Sequence, residues 1–496
     1  MSRGPGGARQ PARDAREFDL RELARNGAVH FVGISGAGMS ALAELVLRSG
    51  GRVTGCDARP GEVAESLRRL GAEVTQGHDA AHVAGAVAVV TTAAVPPDHP
   101  ELSAARARGI PVLKRAQALG ALVNRGRVVA VAGTHGKTTT TAMTTSILAE
   151  AGLDPTGFVG GRVAEWGGGL RVGSDSLFVV EADEYDRSFL TLRPEVAVVT
   201  TIEADHLDIY GSLVAVEEAF REFLAPVPDE GQIAVCVDDA GARRLKSEAA
   251  GRRVLGYGLA PAAELRAEAV EVRGRGARFR VRERGALLGE LVLAVPGVHN
   301  VRNALGAWAA ARHMGADFDA ARRALAAFTG VARRFQEIGR AAGVLVIDDY
   351  AHHPTEIEAT LAAARAAYPD ARLVAVFQPH LYTRTRDFAA EFGRALARAD
   401  EVWVTDVYPA REAPLPGVTG ERVAESARSA GARAVHYHAD RDALAEALLV
   451  ALRPGDVCIT MGAGDIDGTG RAILTGLAGT DGAADGATES HGEAAQ

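Results

Sequence analysis

The sequence has very little cysteine and lysine. Its 496 residues include three scattered cysteines, Cys56, Cys236 and Cys458, a pattern that excludes a disulfide framework or a zinc ribbon and favours a reducing compartment. Of the 55 basic residues, all but Lys114, Lys137 and Lys246 are arginines. Because arginine fills almost every basic position, a retained lysine points to a specific role.

Long apolar runs are also missing. No run approaches the roughly 18–20 residues that span a bilayer, and the first 20 residues have no apolar core of the kind found in secretory signals. The net charge of -8 argues against non-specific binding to nucleic acid, which requires basic patches. We therefore predict a cytoplasmic protein without a membrane or nucleic-acid partner.

What the chain does contain is an alternation of short apolar runs with helical stretches rich in alanine, leucine and arginine. This pattern predicts an α/β protein built from three successive α/β domains, of which the first and last are Rossmann-like. The central domain carries an antiparallel elaboration where short strands alternate around residues 262–295. The predicted segments are a disordered leader (1–15), three domains (16–122, 123–330 and 331–475) and a disordered tail (476–496).

The first domain opens with a glycine turn between a strand and a helix, in "HFVGISGAGMS". Gly33, Gly36 and Gly38 would let backbone N–H groups approach a diphosphate at the helix N-terminus. Asp57, at the end of the next strand, is placed to accept a hydrogen bond from a ribose hydroxyl. The turn alone leaves NAD binding, or a purely structural packing role, open.

A second phosphate-binding pattern, "AGTHGKTTTT" (132–141), is shorter than the usual P-loop but has the same strand-to-helix context. Gly133 and Gly136 free the backbone to wrap an anion. Lys137 is predicted to bind the β- and γ-phosphates, and the Thr138 hydroxyl to reach Mg²⁺. The central domain is therefore predicted to be a P-loop ATPase domain.

Acidic residues and a histidine follow two later strands of this domain. Glu181 and Asp183 end one strand, and "IEADHLD" (202–208) ends the next with His206 among its carboxylates. The carboxyl ends of parallel strands meet at one edge of a sheet, and carboxylates and imidazole can complete a magnesium site there.

Together these motifs resemble the Mur ligases, ATP-dependent amide-forming enzymes of peptidoglycan precursor synthesis. The resemblance covers roughly residues 28–470. It also includes, in family order, "GVHNVRNAL" (297–305), "ARRF" (332–335), "IDDYAHHPTEI" (347–357), "QPHLYTRTRDF" (378–388) and "MGAGDI" (461–466). Within the family, "GISGAGMS" and "DDYAHHPTEI" point to the member that adds L-alanine to the lactate carboxylate of UDP-N-acetylmuramate through an acyl phosphate.

The resemblance implies a role for each matching residue, with ATP and Mg²⁺ as cofactors. The UDP-sugar site would comprise Gly36, Gly38, Met39, Ser40, Asp57 and His78. The ATP site would comprise Gly133, Thr134, His135, Gly136, Lys137, Thr138, Thr139, Asn300, Asn303, Arg334 and Asp349. Magnesium would be held by Thr138, Glu181 and His206. The amino-acid site would comprise Tyr350, His352, Arg384 and Arg386, with His352 as the candidate acceptor of the amine proton.

Leu381 departs from the family, in which many members have arginine at that position. The assignment of the alanine carboxylate therefore shifts to Arg384, with Arg386 in reserve. Two alternative functions stay open from the sequence. One is a recycling ligase that attaches a whole tripeptide to the same UDP-sugar, and the other is an NAD-dependent dehydrogenase with an appended NTPase. A monomer or a homodimer is expected.

Overall fold

The computed structural model describes residues 19–249 and 251–486. The chain divides into two compact units: a first unit that runs to Tyr257 and includes Gly306–Asp317, and a second unit that comprises Gly258–Leu305 and the chain from Phe318 onward. The first unit therefore contains both the predicted first domain and most of the predicted central domain. The predicted leader, 1–15, lies outside the described residues.

The first sheet of the first unit is parallel throughout, with the strand order β3-β2-β1-β4-β5. Its strands are β1 Ala28–Val32, β2 Arg52–Asp57, β3 Glu73–Gln76, β4 Ala86–Thr91 and β5 Val112–Lys114. Its helices are α1 Leu20–Asn26, α2 Ala37–Arg48, α3 Gly61–Arg69, α4 Pro100–Ala107 and α5 Arg115–Val123. This order is that of a dinucleotide-binding half, so the predicted Rossmann-like fold is confirmed.

The second sheet of this unit has β6 at its centre, between the parallel strands β9 and β10. Its strands are β6 Arg127–Ala132, β7 Thr156–Val163, β8 Gly168–Arg171, β9 Leu177–Glu181, β10 Val196–Val199, β11 Gln232–Cys236 and β12 Val254–Gly258. Its helices are α6 Lys137–Glu150, α7 Leu207–Tyr210, α8 Leu213–Leu224 and α9 Ala240–Glu248, with 3₁₀ turns at Ala164–Trp166 and Tyr185–Thr191. The polar segments predicted to form a site follow β6, β9 and β10, and these three strands are adjacent.

Helix α6 is buried along most of its length although its sequence is rich in threonine. The hydroxyls of Thr144 and Thr145 donate to the carbonyls of Thr140 and Thr141, one turn earlier, at 2.7 and 2.8 Å. These bonds satisfy polar groups inside the helix itself, so the helix that follows the predicted phosphate loop can lie deep in the unit.

The second unit contains a six-stranded sheet and three antiparallel strands, the elaboration predicted from the sequence. The antiparallel strands are β13 Leu265–Arg273, β14 Gly276–Glu283 and β15 Ala286–Leu293. Helix α10 Val298–His313 begins in this unit and belongs to the first unit from Gly306 onward, and helix α11 Phe318–Ala327 lies in the second unit. The sheet, in the order β16-β17-β21-β18-β19-β20, has strands β16 Gln336–Ala341, β17 Val344–Asp349, β18 Leu373–Phe377, β19 Glu401–Val404, β20 Val435–Tyr437 and β21 Val457–Met461. The remaining helices are α12 Pro354–Ala367, α13 Tyr382–Leu396, α14 Gly420–Ser429, α15 Arg441–Ala451 and α16 Asp467–Gly486. Every strand pair in this sheet except β16–β17 is parallel.

Helix α16 extends into the segment 476–496 that the sequence analysis predicted to be disordered. The helix continues to Gly486, so the prediction is wrong for residues 476–486. Ile473 and Leu477 on this helix are buried, and their apolar contacts override the glycine-rich composition that suggested disorder. Residues 487–496 lie outside the described chain. Among the described helices, none is both long and apolar enough to cross a membrane.

Helices α13 and α14 pack so closely that a glycine is needed between them. A Cβ at Gly393 would lie 2.4 Å from the carbonyl carbon of Ser426. We expect Gly393→Ala to destabilise the second unit by about 1–3 kcal/mol through overpacking, measured as a lower unfolding midpoint in calorimetry or urea titration. Gly479→Ala is the matched control, because no atom lies within 4 Å of its added Cβ. An unchanged or higher midpoint for Gly393→Ala would contradict the packing argument.

Candidate active site

The loop between β6 and α6 is fixed by the segment that follows β10. Thr134 N–H donates to the Thr201 carbonyl at 2.8 Å, and His135 N–H donates to the Thr201 hydroxyl at 2.9 Å. The Thr200 hydroxyl donates to the His135 carbonyl at 2.5 Å. The loop's shape is therefore set by a neighbouring strand end as well as by its own sequence.

The two glycines of the loop have different physical roles. A Cβ at Gly133 would lie 2.0 Å from Thr200 Oγ1, so this position admits only glycine. Gly136 has φ of 83°, in the left-handed region, and turns the chain into the first residue of α6. Thr139 lies in the first turn of that helix and is buried.

Lys137, the first residue of α6 after the loop, is held by one carboxylate and two backbone carbonyls. Its Nζ donates to Glu184 at 2.9 Å, to the Gly133 carbonyl at 2.7 Å and to the Thr134 carbonyl at 3.3 Å. Burial by itself lowers the pKa of Lys137, but the carboxylates of Glu184 and Asp183 outweigh it and raise that pKa above the ordinary value. Lys137 is therefore a partly buried, charged ammonium group.

The predicted magnesium ligands Thr138 and Glu181 lie together. The Thr138 hydroxyl donates to Glu181 Oε1 at 3.0 Å, and the Gly160 N–H donates to Glu181 Oε2 at 2.5 Å. A hydroxyl and a carboxylate oxygen side by side are the hard donors that Mg²⁺ takes. The described residues at this position therefore fit the ion.

His206 lies at the start of α7 with φ of 52°. Its Nε2 is 3.9 Å from Glu184 Oε1 and 3.8 Å from Asp205 Oδ2, and its ring packs edge-on against Tyr185. The imidazole therefore lies beside the carboxylate that holds Lys137. Of the three predicted ligands, Thr138 and Glu181 are joined by a direct hydrogen bond, whereas His206 lies beside Glu184.

A pocket within the first unit joins the glycine-turn helix to the predicted magnesium carboxylate. It is lined by Gly38, Ala41, Leu42, Arg115, Leu119, Phe158, Val159, Gly160, Glu181 and Asp183. Arg115 lies 3.9 Å from Asp183, and a Cβ on Gly38 would meet the Arg115 side chain at 3.1 Å. One side of the pocket is therefore formed by Arg115, which can approach because Gly38 has no side chain. The other side carries the carboxylates of Glu181 and Asp183.

Sequence reasoning missed Arg115, although a usable signal was present. Arg115 directly follows β5, while Asp57 ends β2 and Glu181 ends β9. The rule that ligands collect at the carboxyl ends of parallel strands applies to it as well.

The glycine turn of the first sheet has the predicted shape. Gly33 has φ of 74°, and the turn closes with the Gly36 N–H donating to the Gly33 carbonyl at 3.2 Å. Asp57 accepts from the backbone N–H groups of Ser35 (3.1 Å) and Arg59 (2.9 Å). Asp57 therefore ties the turn to the end of β2.

Two predicted UDP-sugar residues have surroundings that change their interpretation. The Met39 side chain is 1% exposed and lies in the hydrophobic core, so a side-chain contact with a ligand is not supported. Its N–H, and that of Ser40, donate to the Gly36 carbonyl at 2.9 and 2.8 Å as part of α2. His78 Nδ1 lies 3.2 Å from Cys56 Sγ, at the edge of a cluster of ligating side chains.

In the second unit, the two predicted adenine-binding asparagines are neighbours on α10. Asn300 Nδ2 donates to the Pro296 carbonyl at 2.7 Å, and Asn303 Nδ2 donates to Asn300 Oδ1 at 3.1 Å. Both side chains are buried. Burial lowers the pKa of the nearby His299, and the positive charges of Arg302 and Arg334 lower it further, to about 4. Its imidazole is therefore neutral.

Asp349 ends β17 and organises the loop that carries Arg334. Its carboxylate accepts from the N–H groups of Phe335 and Ala351, both at 2.7 Å, and burial raises its pKa to about 6. The Arg334 guanidinium lies over the Tyr350 ring at 5.1 Å and 3.6 Å from Glu356. Asp349 and Arg334 are therefore brought together, with Asp349 in a positioning role.

His352 is oriented by its surroundings. Its Nδ1 is 2.9 Å from the Tyr350 carbonyl and 3.2 Å from Glu356, and its ring packs edge-on against Tyr350 and His380. A carbonyl only accepts, so Nδ1 carries the hydrogen and the neutral ring has its unprotonated nitrogen at Nε2.

The two predicted carboxylate-binding arginines differ. Arg384 is buried, and its Nη1 lies 3.4 Å from His380 Nδ1, so it joins the group formed by Tyr350 and His352. Arg386 is half-exposed and bonds to the adjacent Asp387 at 2.7 Å. The structure therefore groups Arg384, and not Arg386, with the other predicted amino-acid residues.

Three family profiles match the chain in succession. They are the Mur ligase family catalytic domain (residues 28–127), the Mur ligase middle domain (131–311) and the Mur ligase glutamate ligase domain (333–464). Their order confirms the resemblance seen in the sequence motifs.

Similar proteins match along most of the chain. A UDP-N-acetylmuramate–L-alanine ligase of Salinibacter ruber is 48% identical over 90% of this chain and 94% of its own length. The crystal structure of a UDP-N-acetylmuramate–alanine ligase from Thermotoga maritima superposes with a TM-score of 0.76 at 30% identity, covering 90% of this chain and 98% of that one. A murein peptide ligase from Psychrobacter arcticus gives a TM-score of 0.68 at 26% identity over 91% of this chain and 99% of its own. The chain therefore belongs to the Mur ligase family.

Proposed function

We propose that the chain joins L-alanine to the lactate carboxylate of UDP-N-acetylmuramate, converting ATP to ADP and phosphate, in peptidoglycan precursor synthesis. The observation that carries this proposal is the pocket of the first unit, which has Gly38 of the glycine turn and Glu181 beside the phosphate loop in one lining. A sugar nucleotide held by the turn would present its carboxylate to the phosphate loop. The names of the 48%-identical relative and of the Thermotoga structure support the same substrates.

The chemistry has two steps, because a carboxylate is a poor acyl donor. Transfer of the γ-phosphoryl group to a carboxylate oxygen forms an acyl phosphate and releases ADP. The amine of L-alanine then attacks the acyl carbon, the C–O bond to phosphate breaks, and phosphate leaves. Two anions must meet in the first step, so positive charge has to neutralise their encounter. Lys137 supplies that charge from the loop, and Arg115 lies on the pocket wall.

We propose that Mg²⁺ neutralises the negative charge of the ATP phosphates. Thr138 and Glu181 would hold it, with His206 on the side of Glu184. The adjacent oxygens of Thr138 and Glu181 support this assignment. When bound, the ion supplies Lewis-acid stabilisation of phosphoryl charge. The loop residues Gly133, Thr134, His135, Gly136 and Thr139 are proposed to surround the phosphates.

The second unit is proposed to supply the remaining contacts. Asn300 and Asn303 would meet adenine, Arg334 the phosphates, and Asp349 the ribose. Tyr350 and Arg384 would hold the amino acid, with Arg386 in a minor role. The amine must attack as the free base, and His352 Nε2 is the proposed acceptor of its proton because the opposite nitrogen is bound to a carbonyl.

In the first unit, Gly36, Gly38, Ser40, Asp57 and His78 are proposed to bind the UDP moiety. Asp57 already accepts two backbone N–H groups, so it would act on the sugar nucleotide mainly by shaping the turn. We further propose cytoplasmic action as a monomer or homodimer, in keeping with nucleotide substrates.

The function itself is tested with ATP, UDP-N-acetylmuramate and one of three second substrates. We expect phosphate release with L-alanine to exceed release with the tripeptide L-alanyl-γ-D-glutamyl-meso-diaminopimelate, and no reduction of NAD. Greater release with the tripeptide would favour the recycling ligase; the 26%-identical Psychrobacter structure is that of a murein peptide ligase. Formation of NADH would instead support the dehydrogenase alternative.

Lys137→Ala should lower phosphate release that depends on UDP-N-acetylmuramate by roughly 10²–10³-fold or more, because a preorganised cation is removed from the phosphoryl group. Calorimetry should show that the UDP-sugar still binds. Lys246→Ala, on α9, is the matched control and should retain full activity. Phosphate release by Lys137→Ala close to that of the control would contradict the assignment.

Arg334→Ala should lower turnover far more than it weakens UDP-sugar binding, because the arginine is proposed to act on ATP. Initial rates and titration calorimetry measure the two effects separately. Arg340→Ala removes an exposed arginine of the same unit and should change neither. Equal losses of turnover and of UDP-sugar binding in Arg334→Ala would refute this role.

A further inference from the structure

Five ligating side chains surround a single buried carboxylate beside the first sheet of the first unit. The carboxylate is Glu101, on α4, which is 0% exposed. The cluster consists of His30, Cys56, His78, His82, His99 and Glu101. His78 was assigned above to the UDP moiety, and its distances to Cys56 and Glu101 assign it instead to this cluster. The other five residues have no part in the ligase reaction proposed above.

One oxygen of Glu101 is the meeting point of the cluster. Its Oε2 lies 2.9 Å from Cys56 Sγ, 3.7 Å from His30 Nε2 and 3.8 Å from His78 Nδ1. Cys56 Sγ and His78 Nδ1 are 3.2 Å apart. In a tetrahedral zinc site, ligands about 2.0–2.3 Å from the ion lie roughly 3.3–3.7 Å from one another. These four separations bracket that range, and the donor atoms of His30 and Cys56 lie within 4.8 Å of each other.

His30, the most buried histidine of the cluster, has a ring nitrogen without a hydrogen bond. His30 is 1% exposed, and its Nε2 has no hydrogen-bond partner among the described residues. Its Nδ1 lies 2.9 Å from the Thr54 hydroxyl, which fixes the ring. Leaving a buried imidazole nitrogen unsatisfied is costly, and a lone pair aimed at Glu101 and Cys56 is what a metal ion would use. An oriented ring whose second nitrogen is hydrogen-bonded is the usual arrangement of a ligating histidine.

The other oxygen of Glu101, Oε1, is hydrogen-bonded to groups that are not proposed ligands. Its Oε1 lies 2.8 Å from His82 Nδ1 and accepts the Asp79 N–H at 3.2 Å. These bonds fix the carboxylate and leave Oε2 facing the thiol and the imidazoles. The arrangement separates an anchoring oxygen from a ligating one.

We propose that the cluster is a structural zinc site. Its first three ligands are His30, Cys56 and Glu101, whose donor atoms all lie within 4.8 Å of one another. His78, which lies beside Cys56 Sγ and Glu101 Oε2, is the fourth. A thiolate and two imidazoles with one carboxylate suit Zn²⁺ and exclude the hard ions Mg²⁺ and Ca²⁺ as preferred occupants. Four protein ligands close the site, so its role is to hold β1, β2 and α4 together. The backbone N–H groups of Gly33 and Ile34 donate to the Cys56 carbonyl, so the ion would also stiffen the glycine turn.

The test uses the full-length protein without ATP. Protein from zinc-supplemented cells should contain about one Zn²⁺ per chain by elemental mass spectrometry. After exchange with Co²⁺, it should show a thiolate-to-cobalt charge-transfer band in the near ultraviolet. Cobalt at the proposed magnesium site would give no such band, because the ligands proposed there contain no sulfur.

Cys56→Ala should lose both the zinc and the band, whereas Cys458→Ala, a buried cysteine on β21, should keep both. His82→Ala should weaken Co²⁺ binding by roughly 10–100-fold, the usual effect of losing a group that orients a ligand. Wild-type protein without zinc and without the band would overturn the proposal, as would retention of both in Cys56→Ala. If Cys56→Ala does not fold, the stoichiometry and the cobalt band of the wild type decide the question.

Discussion

The contact between the phosphate loop and the end of β10 is the constraint on which the proposed ATP site depends. A loop shortened ahead of its lysine has few residues of its own with which to close an anion cradle. Here Thr200 and Thr201 provide the missing bonds by fixing Thr134 and His135. Such an approach is possible only if position 133 lacks a side chain. The short loop and its first glycine are therefore consequences of one close approach between two strand ends.

That geometry places the positive charge of Lys137 in a partly buried position, and the charge must be compensated. Glu184, supplied by the segment after β9, bonds directly to Lys137, and the Tyr210 hydroxyl donates to the Glu184 carbonyl at 2.6 Å. Burial raises the pKa of Glu184, while Lys137 opposes that rise. In the proposed reaction, nucleotide phosphates would compete with this carboxylate for the same ammonium group. A compensating partner that an incoming anion can replace keeps the lysine oriented before the nucleotide binds.

The parts of the site that could be predicted from sequence are those whose signal is local. Glycines between a strand and a helix, a lysine in an arginine-rich chain, and carboxylates after apolar runs identified Gly133, Lys137 and Glu181. Side-chain direction was not predictable in this way. Met39 is turned into the core, and Arg386 bonds to its neighbour Asp387. Apolar contacts of α16, which run beyond residue 476, override a composition typical of disorder.

The Glu101 cluster could not be found from sequence because its members are spread from position 30 to position 101 on separate elements. The parallel pairing of β1 with β2, which sets His30 opposite Thr54 and Val32 opposite Cys56, brings His30 and Cys56 near each other. Successive strand residues face opposite sides of a sheet, which explains why Cys56 lies within the cluster while Asp57, next to it, holds the glycine turn. One strand end therefore serves two purposes. Because Cys56 and Glu101 are fully buried, an ion bound there could act on the UDP-sugar site only by fixing the backbone that shapes it.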